Sequence, residues 1–226
     1  MTTAGKRSLY LRWLAANGLG EMFGLGMTFA VGALVMSMLG EAQSTQVILV
    51  SFLVAVASGA IEATIVGLAQ WWGFHPWLPA ILRREWWLAT LAGALLAYVL
   101  GYLPTTLMSL TEQSNPPGTP VQEPDQWVVL LLAAGLGLVG GAVLSFAQWL
   151  VLRKNVTRAN VWIPANMLAW MVGMPLIFWG IDIAGRLESM FCMVGFMAAV
   201  LLLAGLVVGA IHGVFLLQIV GNESSA

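Results

Sequence analysis

The chain has 226 residues, of which 60% are apolar and only 8% charged, with a net charge of −1 and a mean hydropathy of +0.89. Soluble domains carry about 25% charged residues, so this chain has too few polar groups to cover a surface facing water. The charge pattern offers no basic face and excludes a nucleic-acid interface, and the lone Cys192 excludes an internal disulfide.

Six apolar stretches are each long enough to cross ~30 Å of hydrocarbon at ~1.5 Å per residue. The first, Trp13–Leu39, follows Lys6, Arg7 and Arg12 and contains Asn17 and Glu21. A signal peptide is the competing reading of this start. The run is too long for an h-region, however, holds an acid, and resembles later segments of the chain. The second stretch, Val47–Phe74, carries Glu62 and ends on Gln70-Trp71. Arg83 and Arg84 precede the third, Trp86–Leu107, which meets Pro104 near its end.

Residues 108–126 hold four prolines with Glu112, Glu123 and Asp125, and read as a solvated external loop. The fourth stretch, Trp127–Leu152, ends on Gln148-Trp149 and is followed by Arg153, Lys154 and Arg158. The fifth, Trp162–Ile181, contains Pro175, which removes a helix donor and predicts a kink. Asp182 at its end reads as a solvated charge. Met190–Val220 is the sixth, with His212 about two turns from its end and a tail at 221–226.

Eight of the nine basic residues fall before the first stretch or in alternate connections, and Arg186 alone lies on the other side. Cytoplasmic loops carry the excess of Lys and Arg, so both termini are expected in the cytoplasm. The predicted fold class is all-α: a single polytopic domain over residues 1–226 with six transmembrane helices.

The odd stretches open alike, with Trp13 four residues before Asn17, Trp86 before Thr90, and Trp162 before Asn166. These tryptophans read as anchors at headgroup level, with the polar residue one turn deeper on the same face. The even stretches carry small residues every fourth position: Gly59, Ala63 and Gly67; Gly137, Gly141 and Ser145; Gly205, Gly209 and Gly213. Such stripes let helix backbones approach closely in lipid. Gly67 and Ser145 lead into Gln70-Trp71 and Gln148-Trp149, and Gly209 more loosely into His212-Gly213. The pattern predicts three tandem hairpins, at approximately 8–75, 84–155 and 160–220, in a pseudo-threefold arrangement.

The G-x-x-Q-W endings, the basic loops and the W-x-x-x-N or W-x-x-x-T openings resemble an uncharacterised family of small membrane proteins of cyanobacteria and Chloroflexota. The resemblance implies a multi-pass protein of the bacterial inner membrane and carries no activity. The third hairpin departs from it at His212-Gly213.

Glu21 and Glu62 are the most informative residues, since an ionised side chain at a helix centre costs ~2.5–3.5 kcal/mol or more. Glu21 lies eight residues after Trp13 and Glu62 nine before Trp71, so both sit roughly 12–14 Å deep on straight helices. If the first two helices pack together, the acids can meet and hold a proton or a cation. Asn17, Gln70, Thr90, Gln148, Asn166 and His212 are the expected polar lining. The competing reading makes the acids interhelical hydrogen-bonding glue.

His212 is alone in the membrane, which argues against a haem or pigment site, and no Cys and His cluster has zinc spacing. No cofactor or metal is expected. Ser58 and His212 differ by about 12 Å in depth, too far for a nucleophile and its base, and Ser145 lacks a recognisable motif. Catalysis is not expected. Two functions remain: a small transporter or ion-conducting protein, or an accessory subunit of a membrane complex. The lipid bilayer is the certain partner in either, with a homo-oligomer or other membrane subunits as further ones.

Overall fold

A computed structural model describes residues 2–39, 44–112 and 124–223. Six long helices make up almost all of it: α1 (Thr3–Leu39), α2 (Thr45–Phe74), α3 (Arg83–Glu112), α4 (Gln126–Leu152), α5 (Trp162–Ala184) and α6 (Met190–Glu223). Each contains a stretch long and apolar enough to cross a membrane. Helix is the form these sequences take because hydrocarbon offers no partner for backbone N–H and C=O groups, and a helix pairs them internally. Large apolar side chains such as Leu53, Leu131, Leu132 and Phe191 cover the outer surface. In water this surface would be an aggregating patch, and in lipid it matches the solvent.

The helix ends differ from expectation in three places. α1 begins at Thr3, well ahead of Trp13, because nothing between them breaks a helix and the basic residues extend it out of the apolar zone. α3 continues through Pro104 to Glu112, so residues 108–112 are helical rather than part of the expected loop. Residues 113–123 of that loop lie outside the described residues. α6 reaches Glu223, which makes the first part of the expected tail at 221–226 helical; residues 224–226 lie outside the described part.

Each helix packs on its neighbours in sequence, and α6 returns to pack on α1, so the six close into a ring. The termini and the α2–α3 and α4–α5 connections share one end of this ring, here called the terminal end. The α4–α5 connection there includes a short 3-10 turn at Ala159–Val161. Small residues of the even helices seat the following odd helix. A Cβ on Gly67 would touch the Thr90 side chain, one on Gly141 the Asn166 carbonyl at 2.6 Å, and one on Gly205 the Asn17 carbonyl at 2.5 Å.

Asp182 is half-buried and pairs with Arg186 at 2.7 Å, while Gln126 of α4 donates to the same carboxylate at 2.9 Å.

The core divides along the ring axis. Trp13, Trp86 and Trp162 were expected as anchors in the headgroup layer, and here the structure differs: all three are buried and meet near the axis. Trp162 lies edge-on to both others, at centroid distances of 5.8 Å from Trp13 and 6.1 Å from Trp86, and Phe74 packs on Trp13 and Trp86. The physical reason is volume. The ring of six helices leaves a space at the terminal end that large side chains from α1, α3 and α5 fill at protein packing density. Leu9, Ile81, Leu152, Leu216 and Ile219 complete this apolar plug.

Candidate carboxylate site above a polar layer

Next to the plug lies a layer of buried amides and hydroxyls. Asn17 donates to the Trp13 carbonyl at 2.8 Å, Thr90 to the Trp86 carbonyl at 2.9 Å and Asn166 to the Trp162 carbonyl at 2.9 Å. All three bonds span one helical turn, as the common Trp-x-x-x-polar spacing requires. Gln70 then donates to Asn17 Oδ1 at 2.9 Å, and Gln148 donates to Gln70 Oε1 at 3.3 Å and to Thr90 Oγ1 at 3.0 Å. The Trp162 indole N–H donates to Gln148 Oε1 at 2.9 Å. One continuous network thus ties α1, α2, α3, α4 and α5 together through side chains.

The Gln-Trp dipeptides divide their work between interior and loop. Gln70 and Gln148 point inward, while Trp71 donates to the Ile81 carbonyl at 3.0 Å and Trp149 to Asn160 Oδ1 at 2.8 Å. Each tryptophan therefore fastens the loop that leads into the next odd helix. Arg12 adds a tie between α1 and α2 by donating to the Trp72 carbonyl at 2.8 Å with its guanidinium over the Trp72 ring.

His212 joins this layer without a hydrogen bond. It is buried between Trp162 and Trp13, at ring distances of 5.3 and 6.2 Å, and neither ring nitrogen meets a polar partner. Ser58 donates to the Ala55 carbonyl and Ser145 to the Gly141 carbonyl, so neither hydroxyl engages His212.

Gln148 is the hub of the network, with three interhelical bonds. Hydrogen bonds between membrane helices average about 0.6 kcal/mol each, so Gln148→Leu is expected to destabilise the protein by roughly 2 kcal/mol. Equilibrium unfolding in a mixed-micelle denaturant titration measures this, and an unchanged midpoint would show that the amides contribute nothing net.

One further step from the plug, the structure brings Glu21 and Glu62 side by side. Their carboxyl groups are near enough for their charges to interact. Two small residues make the approach possible. Gly24 lets α1 come against the Glu62 backbone, where a Cβ would stand 3.1 Å from Glu62 Cα, and Gly205 leaves room for the Glu21 side chain from α6.

The two acids differ in surroundings. Glu21 is fully buried, and its Oε2 has no polar partner. Glu62 is half-buried, accepts a hydrogen bond from the Tyr98 hydroxyl of α3, and lines a cavity of about 250 Å3. The cavity runs from Glu62 away from the plug between α1, α3, α4 and α5, with Leu25, Leu136 and Ile177 among its walls. A second, larger recess of about 620 Å3 lies between α1, α2 and α3 towards the other end, and Tyr102 lines both.

Sequence reasoning missed Tyr98 and Tyr102. Their i and i+4 spacing on one face of a membrane helix was the available signal, because a hydroxyl inside the bilayer needs a partner. Of the expected lining residues, Asn17, Gln70, Thr90 and Gln148 join the network directly. Asn166 bonds only its own helix in the contacts described, and His212 contributes ring contacts. Comparison with known proteins finds no matching family model, no similar curated protein and no similar solved structure.

Proposed function

We propose that this chain is a small transporter or ion-conducting protein of the bacterial inner membrane, with Glu21 and Glu62 as its proton- or cation-binding pair. The observation that carries the reading is the position of Glu62 on the wall of a cavity, with Glu21 beside it. A structural role alone needs no adjoining space, whereas a site that loads and unloads does. Glu62 faces the cavity and Glu21 lies behind it, so a cation or proton arriving from the cavity reaches Glu62 first. The aromatic plug and the amide layer close the route on the terminal side.

Lys6, Arg7, Arg12, Arg83, Arg84, Arg153, Lys154 and Arg158 all lie at or near the terminal end. By the distribution of positive charge that end faces the cytoplasm, and the cavity leads from the acids towards the outer side. The matching bonds of Asn17, Thr90 and Asn166, and the matching roles of Gln70-Trp71 and Gln148-Trp149, support three related hairpins about the ring axis.

Flux into reconstituted vesicles tests the function. The double variant Glu21→Gln and Glu62→Gln keeps side-chain volume and removes both ionisable groups. Proton or monovalent-cation flux is expected to fall to the level of empty vesicles while insertion and elution profile stay unchanged. Flux equal to wild type from a correctly inserted double variant would rule the carboxylate site out.

A further inference from the structure

Resting on the transport reading, the chemistry of the cavity walls points to a class of substrate: we infer that the cavity binds a small lipophilic monovalent cation, an amine or quaternary ammonium compound. Phe29, Tyr98, Tyr102, Trp170 and Phe178 line the same cavity as the Glu62 carboxyl group, which Tyr98 touches. The remaining wall is aliphatic or glycine, and no Lys or Arg lines it. Aromatic faces attract an organic cation by about 0.5 kcal/mol at exposed sites and about 2 kcal/mol or more where water is excluded. Among the described residues Glu62 is the one acidic side chain on this wall, so it supplies a single opposite charge, which matches a monovalent ligand.

Other ligand classes fit the same walls less well. A small hard ion such as Ca2+ takes about 6–8 oxygen ligands, and Mg2+ keeps several of its waters. Here the wall offers one carboxyl group and the tyrosine hydroxyls against an apolar lining, which cannot replace such a hydration shell. An anion meets no positive group. A neutral apolar molecule would cover the carboxyl group and offer it no partner beyond the Tyr98 hydroxyl, at the cost of a poorly compensated polar group. The volume of about 250 Å3 equals that of about eight waters at ~30 Å3 each, enough for a compact organic cation. The route in suits it as well. The outer recess is apolar, with Ser51, Thr105, Thr106 and Ser109 among its lining residues, and it meets the cavity at Tyr102.

Equilibrium binding of radiolabelled benzyltrimethylammonium to the purified full chain in mild detergent tests the inference. Saturable binding is expected, displaced by unlabelled cation and not by neopentylbenzene, which has the same shape without the charge. Glu62→Gln is expected to weaken binding about tenfold or more, as loss of a charge partner worth ~1.4 kcal/mol requires. Phe178→Leu keeps the wall apolar and removes one aromatic face, and is expected to weaken binding several-fold while the fold is intact.

Equal displacement by the neutral compound would overturn the inference, as would undiminished affinity in both variants. Absence of saturable binding to correctly folded wild-type protein would also overturn it. If that protein still carries carboxyl-dependent proton flux in vesicles, the substrate class fails and the transport reading stands. If the flux is absent too, both fail.

Discussion

Gly141→Leu is expected to prevent the ring of helices from closing. A Cβ at this position would lie 2.6 Å from the Asn166 carbonyl oxygen and 3.1 Å from Met167 Cα. These are backbone atoms of α5, which cannot turn aside as a flexible side chain does. One turn away, Gly137 is pressed against the Trp170 carbonyl in the same manner. Relief therefore requires α4 and α5 to separate along two turns, and α5 carries Trp162 and Asn166 with it.

Overpacking ordinarily costs about 1–3 kcal/mol, and a clash with backbone at a close helix crossing belongs at or above the top of that range. The variant is expected to lose its monodisperse elution in mild detergent, or to unfold at least 3 kcal/mol more easily by the same estimate. Gly135→Ala on the same helix is the control, because no atom lies within 4 Å of its Cβ position. It is expected to change stability by less than about 0.5 kcal/mol. Equal effects of the two substitutions would show that helix propensity, and not the close crossing, makes glycine necessary.

Trp162→Ala carries the second large effect, and it joins the fold to the proposed function. The indole is buried, touches Trp13, Trp86 and His212, and donates the hydrogen bond that holds Gln148 Oε1. Removing a core tryptophan typically costs about 3–5 kcal/mol, and here the Gln148 acceptor is orphaned as well. Detergent-denaturant unfolding measures the loss. In reconstituted vesicles the same variant is expected to leak, since the removed side chain sits where the terminal end of the ring is closed. Trp162→Phe fills most of the volume without the N–H, so it is expected to restore the seal and only part of the stability. A tight vesicle from a folded Trp162→Ala protein would show that the plug is not the barrier.

The two parts of the molecule were unequally legible in the sequence. Spans and their order were readable because an apolar run of sufficient length has few alternatives, and loop charges mark where each run ends. The Trp-x-x-x-Asn and Gln-Trp patterns pointed to the interior residues of the amide layer. Partners were not readable. Trp13, Trp86 and Trp162 carry the same signature as interfacial anchors, and an amphipathic indole suits both places. Only the closing of the ring of helices turns all three into the core. Tyr98 likewise gave no sign that its hydroxyl reaches Glu62 on the preceding helix.

By itself the sequence determined a six-span helical membrane protein, because charge is too costly in hydrocarbon and backbone polar groups there must be paired within the chain. Which faces meet was decided only by the tertiary structure. Lipid and protein interior are equally apolar, so no contrast between a greasy and a polar face says which side of a membrane helix turns inward. Close crossings at Gly24, Gly141 and Gly205 choose those faces. In doing so they bring Glu21 to Glu62, which makes a carboxylate pair beside a cavity from two acids 41 residues apart in the chain.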